Sequence, residues 1–369
     1  MTKTILFLCG GKSDEHEISL LSCKGILDAL DRSRFSPLIV GISKTGIWHL
    51  EAEKNYFEGE FRADDIRLNL SAPEVTLAPF VTPDGRGALE LSGRRITFDA
   101  VFPILHGKFG EDGTIQGLLD IVGIPYVGAG CGSSWICMDK VLTKTLCLSA
   151  GIAVTPFTWL ANPQELGAKR TEIERLGFPL FVKPSRQGSS VGVSKVNSPS
   201  ELASAIQYAF QYDSKVLIER GIVGRELECS VLGLNASPRA SLPGEIIPSA
   251  KVGWYSYEAK YLMEDGAETR VPALLSPEKV REVQTLVDRV FQLLECDGMA
   301  RIDLFLEETS GTLFLNEANT LPGFTPISMY PKMWQASGLS YSLLITELID
   351  LAFQRAAREA KLVPPPKPT

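Results

Sequence analysis

Two short strings near the C-terminal end carry polar groups at spacings that suit chemistry: "ARIDLFL", residues 300–306, and "LFLNEAN", residues 313–319. Alternate residues of a strand share a face, so Arg301 points with Asp303, and Glu317 with Asn319. If "EETSG" between them turns the chain back as a hairpin, two carboxylates, an amide oxygen and a guanidinium converge on one patch. Oxygen donors of this kind suit Mg²⁺, which takes few protein ligands and completes its shell with waters and substrate phosphates. The plain alternative is the polar face of a half-exposed hairpin. The next residues, "TLPGFTPIS", weigh toward the metal reading, because a Pro322-Gly323 turn can present backbone N–H groups to an oxyanion beside the cation.

A second string, "KPSRQGSSVG" from Lys183 to Gly192, follows the apolar run Phe178 to Val182. Lys183 ends a buried strand, Gly188 and Gly192 let backbone approach a ligand, and Ser189 and Ser190 supply hydroxyls. Alone, the string is equally a solvated turn. Lys140 in "MDKVLTK", Glu219 at the end of "VLIER" and Glu226 soon after make it part of a nucleotide site: two lysines for phosphates, one carboxylate for an adenine amino group and one for ribose. Glu17 has two readings, since Asp14-x-x-Glu17 has capping-box spacing and the same carboxylate could hold a substrate. His106 stands at a strand end, between packing and a polar contact. "YEAKY", Tyr257 to Tyr261, is expected in a loop.

Other phosphate motifs fail. "GGKS", residues 10–13, lacks the leading glycine of a P-loop, with Leu6 in its place, and "GAGCG", residues 128–132, runs into Ser133 where a dinucleotide fingerprint needs its last glycine. The chain has 37 basic and 44 acidic residues, a formal charge of −7, which argues against a sequence-independent nucleic-acid binder. Seven cysteines without a C-x-x-C pair are expected as buried reduced thiols, and three dispersed histidines do not suggest a histidine metal site. No apolar run is long enough for a membrane span or a signal peptide, so a soluble cytoplasmic protein without membrane insertion is expected.

The elements that must position these groups follow from periodicity. "KTILFLCGG" reads as a buried strand and glycine turn, and the following helix should turn Ile18, Leu21, Leu27 and Leu30 inward. Further strand and helix signals up to "GIPYVGAG" predict a mainly parallel α/β sheet with ligands at the carboxyl ends of its strands. Residues 45–95 read as surface elaboration or added hairpins. Beyond Gly130, "SSWICMDKVLTKTLCLSAG" is expected as one helix, followed by α+β modules. A helix opens at Ser276-Pro277, another lies in "SYSLLITELIDLAFQRAARE", and a disordered "PPPKPT" closes the chain. The division expected is an N-terminal α/β domain over 1–130, a central module over 131–222, a C-terminal module over 223–360 and a tail over 361–369.

In this order the pieces resemble an ATP-grasp enzyme, and closely the D-alanine–D-alanine ligases. The resemblance runs from "LFLCGGKSDEHEISL" through "HGKFGEDGTIQGLLDIVGIPYVGAG", "MDK", "VKPSRQGSSVGVSKV" and "YEAKY" to "RIDLFL" and "NEANTLPGFT". It implies ATP-driven joining of two D-alanines through a D-alanyl phosphate, for peptidoglycan precursor synthesis, by an enzyme usually dimeric. It implies ATP contacts from Lys140, Lys183, Ser189, Ser190, Glu219, Arg220, Glu226 and Lys260, and two Mg²⁺ (or Mn²⁺) ions on Asp303, Glu317 and Asn319. Arg301 and the Gly323 N–H would stabilise the acyl phosphate and oxyanion. Glu17 would bind the first D-alanine in a triad with Ser189 and Tyr261. His106, Ser328 and the N–H of Met329, where relatives commonly have leucine, would complete the substrate site.

Three rivals stand beside this reading. A D-alanyl-D-lactate ligase is disfavoured by the intact Lys260-Tyr261 pair. An ATP-grasp carboxylase would want a biotin or bicarbonate partner, and no biotinyl-lysine context appears. A non-catalytic nucleotide module sits poorly with retention of Arg301, Asp303, Glu317 and Asn319 together.

Overall fold

The computed structural model of the chain describes residues 2–51, 57–59, 62, 64–249, 267–325 and 327–362. The "YEAKY" segment and most of the Pro-rich tail lie outside the described residues.

The strand Lys3–Gly10 is central to the N-terminal sheet because it is apolar on both faces: Ile5 through Cys9 are each 0 % exposed. It pairs in parallel with Phe35–Ile42 on one side and Ala100–Ile104 on the other, and Trp48–Glu51 adds an antiparallel edge. The chain leaves it at Gly10, whose φ is +85° and where a Cβ would sit 2.4 Å from the Ile42 carbonyl oxygen, so only glycine makes this turn into the helix His16–Ala29. That helix buries Leu20, Cys23, Ile26 and Leu27 against the sheet, with Leu30 just beyond its end; Leu21 packs on the same core and also borders a cavity, whereas Ile18, expected inward, lines that cavity. Phe57–Glu58 pairs with Arg67–Leu68, and Thr76–Leu77, Gly87–Leu91 and Arg94–Phe98 form a small sheet, as expected of added hairpins, although Leu89 and Phe98 are fully buried in the N-terminal core.

The single helix expected after Gly130 is two, Cys131–Met138 and Lys140–Ser149. Asp139 breaks it: its backbone is extended and its carboxylate accepts from the N–H groups of Val141 and Leu142, ending one helix and capping the next. A four-stranded antiparallel sheet follows, ordered Phe157–Leu160, Val216–Arg220, Leu180–Pro184 and Ser194–Val196. A six-stranded antiparallel sheet is built on Gly224–Gly233, with Gly298–Glu307 and Leu313–Asn319 to one side, Gly244–Pro248 and Ala267–Arg270 to the other, and the short strand Arg239–Ala240 paired to its end. The helix Pro277–Leu293 starts as expected, with the Ser276 hydroxyl accepting from Lys279 N–H and proline in the first turn.

The helix Tyr341–Glu359 closes the molecule by packing Leu344, Ile345, Leu348 and Ile349 into the same core as Ile5, Phe7 and Leu20. Among the described residues no single helix is long and apolar enough to cross a membrane; the pair Met329–Ala336 and Tyr341–Glu359 is bent by 106°. All seven cysteines are free thiols, six of them buried.

Candidate active site

The expected hairpin forms, and its register sets the site. Arg301 stands opposite Asn319, and Asp303 opposite both Glu317 and, on the other neighbouring strand, Glu228. Three carboxylates thus lie side by side across three strands. The alternation along "LFLNEAN" is not regular, however. The pairing slips between Asp303 and Leu304, which leaves Asn316 as an extra, bulged residue. Leu313 and Leu315 face the core, and strict alternation would send Glu317 and Asn319 there too; the bulge turns them to the face of Arg301 and Asp303.

Arg301 donates from Nε and one terminal nitrogen to the two oxygens of Asp303, both at 2.7 Å, and its Nε lies 3.2 Å from Glu228. Burial works against the guanidinium charge, but Asp303 and Glu228 outweigh it and hold the pKa well above the usual arginine range. Lys140 Nζ donates to the Gln187 carbonyl at 2.7 Å and lies 3.2 Å from Glu317. Among the described residues no three His, Cys, Asp or Glu side chains form a ready cation cage. The donor set nonetheless suits a hard cation that borrows phosphate oxygens: Asp303, Glu317 and Asn319 share one face, and the two carboxylates are now paired with Arg301 and Lys140.

A second cluster lies where the four-stranded sheet meets the hairpin. Glu219 is 2 % exposed and ion-paired to Lys183 and to Lys144, the latter at 3.0 Å, while Thr155 donates to it at 2.8 Å. Burial alone would raise its pKa, but the two ammonium groups prevail and bring it to about 2. Lys144 has no exposed side-chain surface and also donates to the Leu315 carbonyl. Lys183 reaches the bulged Asn316, with Nζ 3.5 Å from its side-chain oxygen. Arg220 lines the same cavity, with its side chain paired to Glu307 at 3.0 Å.

The third cluster corrects an expectation. Ser189 donates to Glu15, not Glu17. Glu15, Ser19 and Ser22 follow spacings of four and three residues and share the inner face of the first helix, whereas Glu17 lies about 200° further round. Glu17 instead pairs with Lys44 at 2.7 Å; partial burial raises its pKa, but the Lys44 contact wins and lowers it. The Asp14 capping box is not formed either, since the residue before the helix is Glu15 and no side chain caps it. Ser189 and Ser190 hold φ of +51° and +59°, left-handed values uncommon outside glycine, and thereby bring the flap serine over Glu15.

His106 is 4 % exposed with both ring nitrogens turned to protein atoms, Leu321 O and Ser22 Oγ, and Glu111 is 3.5 Å away. Burial opposes its charge, yet Glu111 and then Glu15 raise its pKa above the ordinary 6.5. Its ring thus forms part of a cavity wall with both nitrogens already facing protein partners. Ser328 Oγ lies 2.7 Å from Thr325 Oγ1 and precedes the helix Met329–Ala336. Lys260 and Tyr261 lie outside the described residues.

These clusters border two cavities. One, of about 570 Å³, is lined by Glu15, Ser189, Gly323, Ser328 and Met329; the other, of about 510 Å³, by Lys183, Ser190, Glu219, Glu226, Asp303 and Phe181. Lys140, Ser189, Glu228, Arg301 and Glu317 belong to both. Sequence reading missed Glu15, Ser22, Lys144, Glu228 and Asn316. The helical spacings Glu15–Ser19–Ser22 and Lys140–Lys144 were available signals, whereas Glu228 and Asn316 depend on strand pairing.

Residues 4–129 match the family pattern described as "D-ala D-ala ligase N-terminus", and residues 146–350 match "D-ala D-ala ligase C-terminus". D-alanine–D-alanine ligase A of Chromobacterium violaceum is 47 % identical over 360 residues, and that of Escherichia coli K12 is 46 % identical over 362, each alignment covering 96 % of both chains. The D-alanine–D-alanine ligase structure from Coxiella burnetii superposes with a TM-score of 0.83 at 36 % identity, covering 98 % of this chain and 96 % of that one. The D-Ala:D-Ser ligase VanG of Enterococcus faecalis superposes at 0.81 and 34 %, covering 95 % and 100 %. With both halves matched, close relatives aligned over nearly the full length and the ATP-grasp sheets in place, the chain belongs to the D-alanine–D-alanine ligase family of enzymes.

Proposed function

We propose that the protein joins two D-alanines at the expense of ATP through a D-alanyl phosphate and so supplies dipeptide for peptidoglycan precursors. The observation that carries this reading is the junction of the two cavities at Lys140, Arg301 and Glu317. A nucleotide seated between the two antiparallel sheets would place its terminal phosphate at that junction, against an amino acid held in the other cavity.

In this reading Lys140 and Lys183 bind phosphate oxygens, while Glu219 and Glu226 line the nucleoside end. Glu15 takes the place first expected of Glu17, holding the ammonium of the first D-alanine and the Ser189 hydroxyl, with Tyr261 as the third member. A carboxylate is a poor acylating group because its oxygen leaves badly, and phosphorylation corrects this. Arg301 then faces the acyl phosphate, and Gly323 N–H the oxyanion formed when the second amine attacks. The N–H of Met329, at a helix N-terminus, and Ser328 suit the carboxylate of the second D-alanine. Asp303, Glu317 and Asn319 would hold Mg²⁺, which neutralises charge on the transferring phosphoryl group when bound. Closure of the 183–192 flap keeps water from the acyl phosphate.

The test is phosphate release from ATP and Mg²⁺ with D-alanine alone, then with D-serine or D-lactate added, identifying products by mass. D-alanyl-D-alanine matching phosphate supports the proposal. A mixed product formed in preference would assign a different second substrate, and no D-alanine-dependent turnover would overturn it.

A further inference from the structure

His106 and Ser22 come from the N-terminal module and the turn Leu321–Phe324 from near the far end of the chain, yet hydrogen bonds join them in a closed ring. The Leu321 carbonyl can only accept, so His106 Nδ1 carries a proton and donates to it at 3.1 Å. On the other edge of the imidazole, Nε2 lies 3.0 Å from Ser22 Oγ. Phe324 N–H donates to that same oxygen at 3.2 Å. In the neutral imidazole one hydroxyl completes the circuit, accepting from Phe324 and giving its own proton to Nε2. Were the ring protonated, Nε2 would donate to Ser22 and both anchors would remain.

The circuit is dry: Ser22 is 0 % exposed, Phe324 1 % and Leu321 2 %. Its far side is braced as well, since the Tyr341 hydroxyl donates to the Phe324 carbonyl at 2.6 Å and Thr325 N–H donates to Ser328 Oγ at 3.1 Å. Gly323 lies between the two anchored residues, and a Cβ there would fall 2.8 Å from Ser328 Oγ. With a carbonyl held on one side and the next N–H on the other, the peptide groups between them have little freedom to turn.

The structure assigns Ser22 a positioning role: with His106 it locks the Leu321–Phe324 backbone so that Gly323 N–H has a fixed direction at the cavity wall before negative charge develops there. Only a donor oriented in advance avoids reorganisation at the moment of reaction. The significance of that N–H rests on the ligase reading above, but the ring itself does not.

Three variants test it: Ser22→Ala deletes the hydroxyl, Ser22→Cys fills its volume with a weak hydrogen-bonding group, and Ser22→Thr restores the hydroxyl. Alanine and cysteine are expected to lower kcat roughly 10- to 100-fold, leaving KM for ATP unchanged, with threonine recovering much of the loss. In parallel, amide hydrogen exchange of the peptide spanning residues 321–328 should accelerate in the alanine and cysteine variants and in no distant segment. Wild-type turnover in Ser22→Cys with unchanged exchange would overturn the assignment. So would a parallel loss of kcat, ATP affinity and melting temperature in both variants. If the wild type fails to ligate D-alanine, the ligase reading falls, and exchange alone still decides whether Ser22 holds the turn.

Discussion

Glu15 and Glu17 differ by two positions and have different surroundings. Glu15 meets Ser189 in the larger cavity; Glu17, with its side chain 31 % exposed, meets Lys44. An exposed ion pair contributes little, whereas a charge-assisted bond inside a substrate site contributes much more. Glu15→Gln is therefore expected to lower kcat/KM for D-alanine roughly 10- to 100-fold, and Glu17→Gln less than about fivefold. Steady-state kinetics with D-alanine varied at saturating ATP checks both, and a reversed order would return the role to Glu17. The residue types and the motif were legible in "SDEHEISL", but the resemblance was carried onto Glu17 without regard to helical phase, and Ser189 meets Glu15 instead. Pairing Glu15 with Ser19 and Ser22 at spacings of four and three residues would have shown which carboxylate shares the buried face.

At the scale of elements, the hairpin that carries Arg301, Asp303, Glu317 and Asn319 depends on one extra residue. Asn316 adds a half-step to its strand, so Leu313 and Leu315 pack inward while Glu317 and Asn319 turn to the site. Deleting Asn316 would remove the bulge and leave Glu317 directly after Leu315, still on the opposite face and in regular pairing with Asp303. The deletion is expected to keep turnover and to raise KM for ATP through loss of the Lys183 contact. Asn316→Ala keeps the residue count and should retain the fold, raising KM for ATP through the lost Lys183 contact. A deletion variant without MgATP turnover would show that the bulge itself, and not only the face of Glu317, is required. The hairpin itself was readable from two apolar runs around a turn, and the shared face of each polar pair was readable from period two. The bulge was not, because it is set by how two strands pair, and alternation within one strand carries no record of its partner's register.

Across the whole molecule, Glu219 ties three parts together: its own four-stranded sheet through Lys183, the helix Lys140–Ser149 through Lys144, and through Lys144 the Leu315 carbonyl of the six-stranded sheet. Its folded pKa of about 2 lies below the ordinary 4.5. A carboxylate so depressed stabilises the fold above its unfolded pKa, and that contribution disappears as pH falls from about 4.5 toward about 2. Denaturant unfolding followed from about pH 7 to about pH 3 should show wild-type stability declining in that window, in part through this group. Glu219→Gln should flatten that part of the decline while costing roughly 3–5 kcal/mol at neutral pH, because two buried ammonium groups lose their counter-charge. An unchanged acid profile would mean that Glu219 is not the coupled group.

The order of local signals by itself determined the α/β start, the antiparallel modules, the hairpin with Arg301, Asp303, Glu317 and Asn319, and the lysine and glycine-rich flap segments. All of these arise from short-range physics: periodicity of burial, turn residues and the alternation of side chains along a strand. Tertiary structure alone decided that Glu228 stands beside Asp303, that Lys144 is buried beneath Glu219, that Ser22 and His106 grip a turn some 200–300 residues away, and that the helix Tyr341–Glu359 completes the N-terminal core. Each is a contact between segments remote in the chain, and its energy comes from burial and pairing that neither segment possesses before the two meet.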